Sequence, residues 1–292
     1  MHAVMQTALW VLALWALTAP ARAEPAAERG RVIFALAGGC GCHTAKEGPV
    51  GAGGGKIPTP FGTFFGSNIT PDPDTGVGLW SDDEIRAAIR TGIAGKKGAE
   101  SPAMPYYYYA GMADDDVADL IAYLRTLPPV RRPNQSPDGG VPLARVGFRL
   151  WRMLFFRPQP APATAPTAPT ERGRYLVDHV AICVDCHTPR SLLGAPDRSM
   201  YLAGLKHGPG GGAVPNITPH ATGIAEWDAD DIVTVLTRGM LPNFDNVQGL
   251  MADVVEGHGG GLGYKDAPER DWRAVAAYLR TVPPIDNKVK GK

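Results

Sequence analysis

Cys183-Val184-Asp185-Cys186-His187 stands near the start of the second half of the 292-residue chain. Two thiols three residues apart lie on the same side of a helical turn, where each can add to a vinyl group of one haem. The next residue, His187, then offers its imidazole to the iron as proximal ligand. The pattern C-x-x-C-H is the attachment signature of c-type haem. A redox dithiol has no use for the trailing His, and a zinc site needs a second pair of ligands.

The composition agrees with a chain built around cofactors. Its length leaves room for two domains of ordinary size. With 36 Gly and 28 Pro, much of it must be loop, which suits small domains that gain apolar surface from a bound group. Lys+Arg and Asp+Glu balance at 29 each, leaving no basic footprint for nucleic acid. The four Cys form tight pairs, Cys40/Cys42 and Cys183/Cys186, each followed by His, unlike a disulfide framework. Residues 1–23 read as an export signal. Leu9 to Thr18 is an apolar run, and Ala21-Arg22-Ala23 gives the small-x-small cleavage pattern before Glu24. The run is short for a permanent membrane span. An uncleaved anchor is the alternative, since the extreme N-terminus has no Lys or Arg.

An internal repeat organises the rest. Arg29-Gly30-Arg31 returns as Arg172-Gly173-Arg174, and Cys42-His43-Thr44 as Cys186-His187-Thr188. Asn68-Ile69-Thr70-Pro71 returns as Asn216-Ile217-Thr218-Pro219. Trp80-Ser81-Asp82-Asp83 is echoed by Trp227-Asp228-Ala229-Asp230, and Tyr123-Leu124-Arg125-Thr126 by Tyr278-Leu279-Arg280-Thr281. Blocks matched in the same order imply two copies of one domain, at 24–133 and 171–287. Each copy reads as helical. A first helix is expected at 28–38 and 171–182, a second at 82–91 and 229–238 capped by Ser81 or Asp228, and a last at 114–126 and 268–281. Asp114–Asp116 would face the positive end of the last helix of the first copy. No stretch reads as a strand.

Between the copies, at 134–170, the character changes. Residues 141–156 interleave Arg145, Arg149 and Arg152 with Phe148, Trp151, Leu154 and Phe155. This is either an amphipathic helix for a membrane surface or partner subunit, or a connector packed on the two domains. Pro158–Pro169 reads as a semi-extended linker that packs on nothing.

The first site departs from the rule. Gly39-Cys40-Gly41-Cys42-His43 has one spacer where the second motif has two. Arg29 to His43 is 14 steps against 15 from Arg172 to His187, so one residue is missing. If it is missing inside the motif, Cys40 is the counterpart of Cys183, brought too close. If it is missing before the motif, Gly39 replaces the first Cys and Cys42 alone bonds covalently. Cys42 and His43 hold haem on either count.

Both copies resemble class I cytochrome c domains over nearly their whole length. The fold implied is all-α: two tandem class I-type domains joined by a Pro/Ala-rich linker. The motifs Cys-His-Thr-Pro-Arg (186–190), the two Asn-Ile-Thr-Pro blocks, Pro60-Phe61-Gly62-Thr63-Phe64 and Met251-Ala252-Asp253-Val254-Val255 resemble the dihaem or multihaem subunits of bacterial membrane-bound dehydrogenases. The resemblance implies two covalently bound haem c groups. Their attachment would use Cys40, Cys42, Cys183 and Cys186, with His43 and His187 as proximal ligands. It also implies a Met thioether on the far side of each iron, which raises the potential. Met251 matches the family element, with Met240 as competitor. Met104, followed by Pro105, stands in the usual place in the first copy, and Met112 is the alternative, reading also as a hydrophobic staple. His179, His207, His220 and His258 are weaker candidates. Tyr106–Tyr109 is expected to line a haem edge or a docking patch. Arg190, Asn68 and Asn216 are expected to bind propionates or shape the pocket.

The implied function is single-electron transfer in the periplasm, with no bond-making on substrate: no nucleophile–base pair, Walker loop or dinucleotide fingerprint occurs. A dehydrogenase would donate, and quinone, another cytochrome or a terminal oxidase would accept. The alternative is a dihaem enzyme, a peroxidase or thiosulfate-oxidising cytochrome, with the irregular first site open at iron.

Overall fold

The computed structural model describes residues 24–59, 62–94, 103–138, 142–157, 160–208 and 211–289, with backbone alone at 142–146. The expected export segment at 1–23 lies outside them. In chain order the first half forms α1 (Ala26–Leu36), β1 (Lys56–Thr59), β2 (Gly62–Phe65), α2 (Asp82–Thr91), α3 (Tyr106–Tyr109) and α4 (Asp114–Leu124). A connecting helix α5 (Pro142–Phe155) follows. The second half forms α6 (Pro169–Tyr175), α7 (Cys183–His187), α8 (Ala229–Arg238), α9 (Leu250–Glu256) and α10 (Glu269–Leu279).

Each half is held by its first helix crossing its last. The crossing is close because Gly30 and Gly173 present no side chain there. A Cβ on Gly30 would lie 1.8 Å from the Asp119 carbonyl oxygen in α4, and one on Gly173 1.9 Å from that of Ala274 in α10. The repeated Arg-Gly-Arg block is therefore a packing device. Both middle helices start on reciprocal caps. The Ser81 hydroxyl accepts from the Glu84 amide while the Glu84 carboxylate accepts from the Ser81 amide, and Asp228 and Asp231 do the same for α8. Gly92 and Gly239, at φ 65° and 67°, close them. These two helices keep the bounds expected from sequence.

Two expectations are corrected. A strand pair does form: β1 and β2 are antiparallel, with Lys56 opposite Phe65 and Thr59 opposite Gly62. Four-residue strands are too short to show alternation, and glycines at 53–55, 62 and 66 hide them. The linker also packs. The Pro162 and Ala163 carbonyls accept from the Asp114 and Asp115 amides at 3.0 and 3.2 Å. Ala113 gives α4 no side-chain cap, so the linker satisfies its orphan N–H groups.

The hydrophobic core is continuous across both halves, running from Phe34, Leu36 and Ile121 to Leu176, Val177 and Trp272. A buried polar knot crosses the same boundary. The Tyr175 hydroxyl donates to Asp116 at 2.6 Å and accepts from the Ala113 amide at 2.9 Å. Arg172 pairs with Asp271 at 2.9 Å and reaches Asp116 at 3.7 Å. Asp116 is thus an interface residue as well as a helix-start acid. Burial raises its carboxyl above the ordinary range, against the lowering effects of Tyr175 and Arg172. Tyr175→Phe leaves the buried Ala113 amide unpaired and is expected to cost about 1–3 kcal/mol, read by thermal melting. It also removes a group that holds the Asp116 proton affinity down, so the folded carboxyl binds its proton still more tightly. The cost is therefore fullest at neutral pH and shrinks as pH falls through the raised folded pKa. A cost that is flat with pH, or absent, would contradict this.

Helix α5 packs one face on the body. Phe148 meets Phe64 at 5.6 Å, Trp151 meets Tyr107 at 5.6 Å, and the Arg152 guanidinium lies over Tyr106 and Phe156. Leu150, Met153 and Leu154 on its outer side remain 50–69 % exposed.

Candidate functional site

His43 and His187 are oriented in the same way. Nδ1 of His43 donates to the Ser67 carbonyl at 2.7 Å, and Nδ1 of His187 to the Pro215 carbonyl at 2.9 Å. A carbonyl can only accept, so the proton is on Nδ1 and the Nε2 lone pair is left for a metal. Burial lowers the proton affinity of both rings, the carbonyl bond opposing it, which favours the neutral, ligating form.

The Asn-Ile-Thr-Pro blocks explain why those carbonyls sit where they do. Asn68 and Asn216 directly follow the two acceptors. The Asn68 carboxamide accepts from the Thr70 amide at 3.0 Å and donates to the Val130 carbonyl at 2.8 Å. Asn216 repeats this with Thr218 at 2.9 Å and Ile285 at 2.8 Å. Both Asn side chains are buried and bonded to protein partners, so of the two expected roles they take the second and shape the pocket as a clamp. The clamp ties the loop to the chain beyond each Pro-Pro stop. Thr44 and Thr188 brace the other side, accepting from the Gly51 and Leu202 amides at 3.0 Å each.

None of the four Cys is paired in a disulfide. Burial pushes Cys183 and Cys186 up to about 12, and Cys40 likewise. A reactive dithiol or zinc-binding pair needs the opposite shift. Among the described residues no cluster of three or more His, Cys, Asp or Glu forms a metal cage. Neutral thiols beside an imidazole with a free Nε2 are the donor set of covalently held haem. A further feature fits: the Tyr108 hydroxyl is buried with no protein hydrogen-bond partner. After burial itself, Asp185 heads the groups that raise it, and Cys186 is among them, which puts this idle donor beside the second motif.

The helix before the second motif contains a wide turn at Leu176–Val180, where the Ala181 amide bonds to the Leu176 carbonyl five residues back. In the first half the corresponding Ala37 amide bonds to Ile33, four back. The residue that the first half lacks is thus taken up in the helix, ahead of the motif. From Ala37 and Ala181 onward the two halves keep the same residue count, and Gly38 and Ile182 are both left-handed at φ 66° and 45°. By backbone register Gly39 stands opposite Cys183, and Cys40 opposite Val184.

The halves meet at their motifs. A Cβ on Gly41 would lie 2.0 Å from the His258 ring, so a larger spacer here would displace that ring. At the matching place in the second motif, Asp185 accepts from the Tyr107 hydroxyl at 3.2 Å and is paired with Arg190. Arg190 therefore closes the motif against Tyr107, with its guanidinium 5.8 Å from the ring centre. Tyr109 of α3 lies between the two sites. Burial holds its hydroxyl well above the ordinary range, followed by Cys40, Cys42, Asp185 and Cys186. Tyr264, the same repeat position in the second half, is raised by burial and then by Cys183, Cys186 and Tyr109. The tyrosine run thus faces the junction of the halves, not an outer surface.

Among the methionines, Met112 is 1 % exposed and fills the main core, as a staple does. Met104 lies in a smaller apolar cluster with Tyr106 and Phe156. Met251, in α9, is partly buried against the core. His179 donates from Nδ1 to the Tyr108 carbonyl at 2.9 Å, His220 bonds Thr222, and His207 is exposed. Sequence reasoning did not find the Ser67 and Pro215 carbonyls or the Tyr109–Tyr264 pair. Their repeat positions were the available signal.

The cytochrome c family profile matches residues 27–128. The chain is 39% identical over 288 residues to a diheme cytochrome c-type protein of Cereibacter sphaeroides, covering 94% of each chain. It is 34% identical to the cytochrome c subunit of a quinone alcohol dehydrogenase of Gluconobacter oxydans, over 90% of this chain and 56% of that one. It is 33% identical to the gluconate 2-dehydrogenase cytochrome c subunit of Pantoea cypripedii, over 97% and 65%. Against the alcohol dehydrogenase subunit, then, it spans little more than half the length. Likeness of this extent to the diheme protein, with the profile match, shows the family: the chain belongs to the c-type cytochromes, which hold haem c covalently.

Proposed function

We propose that the chain is an exported dihaem electron carrier. Two tandem domains, 24–133 and 171–287, each hold one haem c. Cys183 and Cys186 attach the second and Cys42 the first. His43 and His187 are the proximal ligands, and Met104 and Met251 the distal ones. Bound haem supplies one-electron storage at iron. The chain orients each imidazole through the Ser67 or Pro215 carbonyl and packs each motif against the other half. The observation that carries the proposal is this repeated His–carbonyl pair, placed by the same Asn clamp at both sites.

A periplasmic dehydrogenase donates the electrons and quinone, another cytochrome or a terminal oxidase accepts them. The names of the relatives support this, being a cytochrome and cytochrome subunits of dehydrogenases. The chain is accordingly an electron-transfer component, not a catalytic subunit. Among the described residues no helix is long and apolar enough to cross a membrane. Contact with a bilayer surface would fall to the outer side of α5, where Leu150, Met153 and Leu154 are exposed beside Arg149.

The test is the intact mass of the exported protein with haem quantitation. Two haems per chain are expected, with carbon monoxide binding slowly or not at all to the reduced protein. A single haem removes the first site. Rapid carbon monoxide binding favours instead an enzyme with one open iron, the use its irregular first motif would have.

A further inference from the structure

By backbone register the first site has lost its first cysteine, since Gly39 stands where the second half has Cys183. The local geometry says otherwise for the side chain. Cys183–His187 is a right-handed turn, entered through a single left-handed residue, Ile182. In the first half three successive residues are left-handed: Gly38 at φ 66°, Gly39 at φ 65° and Cys40 at φ 48°, ψ 44°. A left-handed residue turns its Cβ away from where a right-handed one would send it, so Cys40 does not project as Val184 does. Cysteine rarely takes this conformation, and here glycine on both sides makes the turn feasible.

We propose that the left-handed turn at Gly38–Cys40 presents the Cys40 thiol to the same haem as Cys42, so that the first site forms two thioethers across one spacer residue. The surroundings of the thiols support this. Tyr109 and Tyr264 occupy the same repeat position, and each is raised first by burial and next by the cysteines of its own motif, with Asp185 and Cys186 adding to Tyr109. Cys40 is also partly buried against the core, as Cys183 is. Gly39 completes the arrangement: a Cβ there would lie 1.9 Å from the Leu262 carbonyl oxygen, so a cysteine could not stand in its place. The chemistry balances within the site. Each Sγ–H adds across a vinyl double bond, sulfur bonding to one carbon and hydrogen to the other, with no net oxidation and no leaving group.

The inference rests on haem being present at the first site, and the experiment separates the two. The exported holoprotein is denatured, reduced, treated with iodoacetamide and digested, and the peptide containing Gly39–His43 is weighed. The expected result is one haem on this peptide and no alkylated cysteine. A haem-bearing peptide alkylated at Cys40 overturns the second thioether while leaving the first-site haem intact. A haem-free peptide alkylated twice overturns both. The pyridine haemochrome of the whole protein gives an independent readout. Its α band is expected where haems with two saturated vinyls absorb, and a red-displaced component overturns the proposal.

Discussion

Gly173→Ala melts at least about 6 °C below the parent protein and leaves the Cys183–Cys186 site short of haem. The added Cβ meets the Ala274 carbonyl oxygen at 1.9 Å and the Tyr278 Cβ at 2.7 Å. Backbone cannot rotate aside as a flexible side chain can, so α6 and α10 must separate. Separation opens the core around Trp272 and Val177, which are fully buried, and disturbs the Tyr175–Asp116 knot on the same helix. Overpacking costs about 1–3 kcal/mol and occasionally more, a clash with backbone falling at the upper end, and 1 kcal/mol moves the midpoint of a chain this size by about 2–4 °C. Gly30→Ala is expected to do the same in the first half, where the clash with Asp119 is at 1.8 Å. Gly147→Ala in α5 is the control. Nothing lies within 4 Å of its added Cβ, and alanine is the better helix former by about 1 kcal/mol. Its melting point should hold or rise. Equal melting of all three variants would show that the crossings are looser than the distances say.

These glycines mark how far the sequence could be read. The repeat exposed Gly30 and Gly173 as equivalent, and the helical periods of 114–126 and 268–281 located their partners. The capped helices α2 and α8 were legible to the residue, because a cap is a local hydrogen bond and its donor and acceptor are three residues apart. What escaped was non-local or backbone-borne. The Ser67 and Pro215 carbonyls carry no side-chain signal, although they fix the imidazoles. For Asn68 and Asn216 the sequence leaves propionate binding and pocket shaping both open, since their partners at Val130 and Ile285 lie more than sixty residues away. The linker carries no sequence signal for packing because Pro162 and Ala163 act only through their carbonyls. The missing residue of the first half was counted correctly, but only the wide turn at Leu176–Val180 shows that it is missing from the helix. The haem motifs themselves were plain, because their chemistry is written in side chains at fixed spacing.

Met251→Leu is the sharpest test of the second site, since the change conserves volume and is expected to cost under about 1.5 kcal/mol in stability. Met251 sits on the first turn of α9, after Gly249 at φ 59°, with one side against a core that includes the fully buried Val255. Its rival Met240 directly follows the left-handed Gly239 that ends α8, and its backbone is bridged to Asn246. A thioether ligand favours reduced iron and raises the potential. Met251→Leu should therefore remove the weak far-red sulfur–iron absorption of one site and open that iron to carbon monoxide. Met251→His should keep six-coordination but lower the potential of that site by on the order of 100 mV or more, within the roughly 0.8 V range that axial ligands span. Met240→Leu should change neither quantity. Potentiometry would assign the two sites, because the substituted site shifts and the other stays. If Met240→Leu abolishes the absorption and Met251→Leu preserves it, the ligand lies on the loop after α8. The role of α9 would then be to cover the junction where Val254 meets Gly38 of the first motif.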